Sequence, residues 1–248
     1  MMRFSHCPSR ILLDHYLTEG TSLYDVVIVV DALRATATIT RALASGANRV
    51  IPVASLEEAL AHIGEANVIV AAERGGKRIG AAQLGNDPAT YTPEVVAGKD
   101  IYLTTTNGTA TIKGIEAYSQ AEILIGAFTN IGALTELIVR DYAEASLLVV
   151  GAGWMGQASL EDSLFAGYLA DSLMKENVSL QLDDAAYLAI LAACEIGDDP
   201  IKAISKGEHF RRLRAFLSYE VIAACLKRDV DTLIPRYDRL SQSLIPLL

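Results

Sequence analysis

In this chain, charged and small polar residues follow several apolar runs directly. Val26 to Val30 leads into Asp31-Ala32-Leu33-Arg34-Ala35-Thr36, and Val68 to Ala72 into Glu73-Arg74-Gly75-Gly76-Lys77. Asp100 to Leu103 leads into Thr104-Thr105-Thr106-Asn107-Gly108-Thr109. Two later runs lead into Gly126-Ala127-Phe128-Thr129-Asn130 and Gly151-Ala152-Gly153-Trp154-Met155-Gly156, with Glu161-Asp162 close behind. Ligands of an open α/β sheet bind beyond the carboxyl ends of its strands, so these five ends are expected to meet at one crevice. The turn at Thr105, Thr106, Asn107, Gly108 and Thr109 would surround an anion with backbone N–H groups, hydroxyls and the positive end of a helix. Thr and Asn also cap helices, which is the plainer role for the same residues.

Asp31, Glu73, Glu161 and Asp162 supply carboxylates without a matching His or Cys cluster, a set that suits a hard ion such as Mg²⁺ better than zinc. His6, His15, His62 and His209 show no metal-binding spacing. Each acid also has a structural alternative: Asp31 as a helix cap, Glu161 and Asp162 in the first turn of a helix, where its dipole favours them. Arg34 and Arg74 follow strand-end acids and could grip phosphate, sulfonate or carboxylate in bidentate fashion. Arg211, Arg212 and Arg214 cluster on an expected helix and read as a solvated face or as partners of nearby acids. Gly151-Ala152-Gly153-Trp154-Met155-Gly156 is a literal G-x-G-x-x-G after a strand. A bulky Trp154 where pyrophosphate should approach, and no strand-end acid at about 20 residues, argue against a dinucleotide site.

The elements that must position these residues follow from the hydrophobic pattern. Strands are expected at about Asp25 to Val30, Arg49 to Val53, Val68 to Ala72, Asp100 to Leu103, Ala121 to Ile125 and Ser146 to Val150. Helices are expected at Thr36 to Ser45, Leu56 to Ile63, Thr109 to Tyr118 and Asn130 to Tyr142. This β-α rhythm predicts a three-layer α/β/α fold with a largely parallel or mixed sheet. One further strand is expected at Val178 to Leu182, and only helices from Asp184 onward. No Pro-, Ser- or Gly-rich linker interrupts the chain, so residues 1–248 read as a single domain with a helical C-terminal portion.

Composition narrows the function. The 248 residues are 51% hydrophobic and 21% charged, enough for a sizeable core. No apolar run approaches the roughly 20 residues that span a bilayer, so no membrane association is expected. The net charge of −9 would repel nucleic acid. Cys7, Cys194 and Cys225 are odd in number and far apart, and the amino terminus has no apolar signal core, which points to a reducing cytoplasm.

Five blocks in order, Val30-Asp31-Ala32-Leu33-Arg34-Ala35-Thr36, Glu73-Arg74-Gly75-Gly76, Leu84-Gly85-Asn86-Asp87-Pro88, Thr104 to Thr109 and Glu161-Asp162, closely resemble the 2-phosphosulfolactate phosphatase family of coenzyme M biosynthesis. The family's Gly-Asn-Ser-Pro stands here as Gly85-Asn86-Asp87-Pro88. The segment Ser205 to Pro235 follows the family loosely, best at its Asp231-Thr232-Leu233-Ile234-Pro235 end. The resemblance implies a Mg²⁺-dependent phosphatase that releases phosphate from 2-phospho-3-sulfolactate, a small anionic ester. Asp31, Arg34 and Asn107 are then expected to carry the reaction. Arg74, Asn86, Thr105, Thr106, Gly108, Thr109 and Asn130 would bind substrate, and Asp31, Glu73, Glu161 and Asp162 the metal. A metal-activated water is the first choice of nucleophile and Asp31 the second. A nicotinamide-dependent dehydrogenase and a non-catalytic anion-binding protein are the alternatives; self-association into a homo-oligomer is left open.

Overall fold

The computed structural model describes residues 1–17 and 23–247. The chain opens with β1 (Met2–Cys7), a strand absent from the sequence expectation, and a short α1 (Leu13–Tyr16). Then come β2 (Val26–Val30), α2 (Ala35–Ala44), β3 (Arg49–Pro52), α3 (Leu56–Leu60), β4 (Val68–Arg74), β5 (Lys77–Arg78), α4 (Pro93–Val96) and β6 (Asp100–Thr104). After these lie α5 (Gly108–Tyr118), β7 (Glu122–Gly126), α6 (Ile131–Asp141), β8 (Ser146–Gly151), α7 (Leu160–Lys175), β9 (Leu180–Leu182) and α8 (Asp184–Ile196). The C-terminal portion adds α9 (Pro200–Ile204), α10 (Glu208–Arg214), α11 (Tyr219–Leu226), β10 (Pro235–Asp238) and β11 (Ser243–Pro246).

The fold is α/β, with helices packed around one mixed sheet of order β5-β4-β6-β3-β11-β10-β7-β2-β8-β1-β9. Strands β7, β2, β8, β1 and β9 are mutually parallel, as are β3, β6 and β4. The two parallel groups are joined by the antiparallel hairpin β10–β11, which touches each through a single bridge, Arg236 to Leu124 and Leu244 to Val50. This hairpin corrects the expectation of helices alone after Asp184. Its strands, Pro-Arg-Tyr-Asp and Ser-Leu-Ile-Pro, are too short and too polar to announce themselves by pattern.

Strand β2 is buried on both faces, as a central parallel strand should be. Val26, Ile28 and Val30 meet Leu134 and Ile138 of α6 and Leu164 and Phe165 of α7. Val27 and Val29 turn instead to a second core built on Ile39 of α2 and Ile112 and Ile115 of α5. Ile69 and Ala71 of β4 and Ile101 and Leu103 of β6 enter that same second core, while Val70 and Ala72 pack toward Ala59 of α3. Fully burying one such aliphatic side chain contributes roughly 1.5–3 kcal/mol. Because both groups of strands share the core around α2 and α5, the carboxyl ends of β2, β4 and β6 are drawn to one place. Among the described residues, no helix is long and apolar enough to cross a membrane.

Candidate active site

Asp31, Arg34, Glu73, Asn86, Thr106 and Asn107 line one small cavity together with Gly75, Gly76, Trp154, His209 and Arg212. Asp31 leaves the end of β2 and is 9% exposed. Its Oδ1 accepts the Ala35 N–H at 3.2 Å, so it does cap α2, while Oδ2 carries no hydrogen bond among the described residues. The start of α5 presses against it: a Cβ at Gly108 would lie 2.6 Å from the Ala35 Cβ and 3.0 Å from Asp31 Oδ2. Only glycine permits that approach.

Glu73, at the end of β4, is buried and accepts from the Gly76 N–H and from the Thr106 hydroxyl at 3.3 Å. Gly75 and Gly76 form the two-residue loop between β4 and β5 with φ of 62° and 87°. Two successive positive φ values match the tight hairpin turn whose twist suits antiparallel strands. The carbonyls of this loop face two arginines. Arg34 donates to the Gly76 carbonyl at 3.0 Å and Arg212, from α10, to the Gly75 carbonyl at 3.2 Å.

Among the described residues neither guanidinium forms an ion pair with a carboxylate within 4.0 Å. Arg34 is only 4% exposed, and among the described residues it forms no ion pair. Among the described residues the buried Nε of Arg212 has no hydrogen-bond partner, nor does the buried side-chain oxygen of Asn86. Burial holds Arg212 below its ordinary value, with Glu73 and Glu161 pulling the other way. Its guanidinium lies 4.9 Å from the centroid of the Trp154 ring. His209 stacks on Trp154 as well, with ring centroids 5.6 Å apart and the planes nearly parallel.

His209 Nδ1 pairs with Glu161, and Nε2 faces Arg212 Nη2 at 3.0 Å. A guanidinium only donates, so the network assigns Nε2 as acceptor and Nδ1–H as donor to Glu161. Burial pulls His209 downward, but the Glu161 hydrogen bond and charge carry it above its ordinary value, and protonation at Nε2 must displace Arg212. Burial raises Asp31 to about 6; the Ala35 N–H and His209 oppose this, and Glu73 and Glu161 add to it. Asp162 rises to about 8 for the same first reason, with Glu161 and Asp31 as like charges.

The remaining expected residues sit elsewhere in the network. Both oxygens of Asp162 accept backbone N–H groups, from Ala32 at 2.9 Å and Gly153 at 3.0 Å, and so tie the ends of β2 and β8 together. Thr105 and Thr109 bond each other's hydroxyls and backbone at 3.1–3.2 Å, closing the start of α5 as a cap. Arg74 is spent on the Glu73 carbonyl at 2.7 Å and Thr104 at 3.0 Å. Asn130 is fully buried and holds Ala127, Ile125 and Leu233 backbone groups at 2.9–3.2 Å. The glycine-rich turn after β8 pairs Trp154 with Gln157 at 2.9–3.0 Å, and α7 opens only at Leu160, unlike a turn that runs straight into a dinucleotide-binding helix.

Trp154, His209 and Arg212 escaped the sequence reading as site residues. Of the arginine cluster, Arg211 and Arg214 are exposed, whereas the half-buried Arg212 lines the cavity. The usable signal was the interval His209 to Arg212, one helical turn with both side chains on one face.

The described residues contain no group of three or more His, Cys, Asp or Glu arranged to hold a metal ion. Mg²⁺ does not require one, since it keeps several waters and is held by one or two carboxylates. Asp31 and Glu73 line the same cavity, and among the described residues Asp31 Oδ2 and Glu73 Oε2 carry no hydrogen bond. The donor chemistry fits.

Comparison with known proteins identifies the family. The family model described as 2-phosphosulpholactate phosphatase matches residues 13–239. A probable 2-phosphosulfolactate phosphatase of Clostridium acetobutylicum is 36% identical over 212 residues, 85% of this chain and 88% of the relative. One from Gloeobacter violaceus is 36% identical over 225 residues, 88% and 89% of the two chains. One from Trichormus variabilis is 32% identical over 227 residues, 88% and 91%. With a match of this extent, and the strand-end acids and arginines gathered on one cavity, the chain belongs to the 2-phosphosulfolactate phosphatase family of phosphoric monoester hydrolases.

Proposed function

We propose that the Asp31 cavity hydrolyses the phosphate ester of 2-phospho-3-sulfolactate with the aid of Mg²⁺, leaving 3-sulfolactate and inorganic phosphate. The observation that carries this reading is the pair of arginines. A buried cation without a counter-ion is costly; among the described residues the buried Arg34 faces the cavity without an ion pair, and the half-buried Arg212 faces it beside Arg34. A phosphate group supplies the missing charge and accepts the fork of donors that each guanidinium presents.

Arg34 and Arg212 bind the phosphate oxygens and stabilise the charge that gathers on them as the ester bond breaks. Asn86 and Asn107 add neutral donors at the same wall. Trp154 and His209 both contact Arg212, so its guanidinium is oriented before substrate arrives. Asp31 and Glu73 would hold the Mg²⁺, which when bound supplies further charge neutralisation and water activation. Asp31 is fixed through Oδ1, and Oδ2 is the oxygen it would offer the ion.

Phosphate release from 2-phosphosulfolactate, measured with and without EDTA and with Mg²⁺ restored, tests the reading. EDTA should abolish turnover and Mg²⁺ recover it. Arg212→Gln should lower kcat/KM by roughly 10²–10³, the range for one lost charge-stabilising donor. Full turnover in chelated protein would remove Mg²⁺, and wild-type turnover in Arg212→Gln would remove the arginine from the reaction.

A further inference from the structure

The cavity at Asp31 measures about 50 Å³, space for roughly three to five water-sized spheres at about 10–15 Å³ each. That suits a single phosphate group. The substrate of the proposed reaction carries a carboxylate and a sulfonate as well, and these must lie outside.

A groove of about 680 Å³ adjoins the cavity and shares Arg34, Gly76 and Asn86 with it. Lys77 and Arg78 of β5 stand along this groove beside Phe216. Lys77 is exposed, with Nζ 5.8 Å from the centroid of the Phe216 ring, and among the described residues it has no ion pair or hydrogen bond. Arg78 commits Nη1 to the Ala82 carbonyl at 2.7 Å and Gln83 at 3.4 Å, and forms no ion pair among the described residues. The acid of the groove, Asp87, turns Oδ1 to the Ala89 N–H at 3.1 Å. Three cations against one acid reverse the field of a chain whose net charge is −9.

We propose that Lys77 and Arg78 form the subsite for the substrate's tail anions and set the enzyme's preference for phosphate esters bearing a second negative group. The hairpin links the two tasks, because the loop whose carbonyls orient Arg34 and Arg212 runs directly into Lys77. This assignment rests on the cavity being the phosphate site.

The test compares kcat/KM for 2-phosphosulfolactate and for glycerol 2-phosphate, whose tail is uncharged, in the unmodified enzyme, Lys77→Gln, Lys77→Arg and the Lys77→Gln/Arg78→Gln pair. In Lys77→Gln the ratio of the two efficiencies should fall about fivefold, the upper end for one exposed ion pair, chiefly through KM. The double variant should lower it further, and Lys77→Arg should restore it. Titration with 3-sulfolactate and with inorganic phosphate reads the groove without turnover: Lys77→Gln should weaken the first more than the second. Equal losses on both esters, or an unaltered 3-sulfolactate affinity, would overturn the subsite. If the unmodified enzyme releases phosphate from neither ester, the phosphate reading fails, and the 3-sulfolactate titration still decides the groove.

Discussion

Gly108→Ala is the smallest change that should disable the site. The added Cβ is fixed by the backbone and would stand 2.6 Å from the Ala35 Cβ and 3.0 Å from Asp31 Oδ2. Comfortable carbon–carbon separation is about 3.5–4.0 Å, so the starts of α2 and α5 must part by about 1 Å. Overpacking of this kind costs about 1–3 kcal/mol. For a chain of this size that lowers Tm by roughly 2–12 °C. The same movement strains the 3.2 Å bond from Ala35 N–H that fixes Asp31, and misplacing a reacting group by about 1 Å can cost on the order of 100-fold in rate. The assay pairs thermal unfolding with phosphate release, for Gly108→Ala alone and with Ala35→Gly. The second change removes the closest contact and should recover most of the turnover, less the penalty of up to about 1 kcal/mol for glycine in a helix. Wild-type melting and turnover in Gly108→Ala, or no recovery in the pair, would refute the idea that this contact positions Asp31.

Two further outcomes separate structural from functional roles. Asn130→Ala strands two buried backbone groups and a partly buried one and should destabilise by about 1–3 kcal/mol for each buried one left unpaired, with KM of the folded enzyme altered less than twofold. A normal Tm with a large rise in KM would return Asn130 to the substrate. Asp31 and Asp162, raised to about 6 and about 8, bind more protons folded than unfolded once pH exceeds the ordinary carboxyl range. Stability of the metal-free protein should therefore fall as pH rises from about 5 to about 8, and urea midpoints that rose across that window would refute it.

The strand ends were legible because each is announced locally. An apolar run such as Val26 to Val30 can only be a buried element, and the first polar residues after it must lie at its rim. That reasoning placed Asp31, Arg34, Glu73, Asn107 and, through the family motif, Asn86 on one cavity. It also suggested Asn130 and Thr109, whose residue types fit a phosphate site and a helix cap equally well. Which role a side chain takes depends on the partners within reach, and for Asn130 these include a carbonyl 103 residues away. Arg212 shows the reverse case: its helix has the composition of a solvated surface, yet it meets a carbonyl 137 positions earlier in the chain. The β10–β11 hairpin is decided at the same level, since its short polar strands are stabilised by the neighbours they bridge. Sequence pattern determines which backbone is buried and where it ends, because burial of apolar side chains is a sum of local terms. Tertiary packing alone decides which polar groups stay unpaired around the cavity, because that is settled by whatever distant segment arrives to meet them.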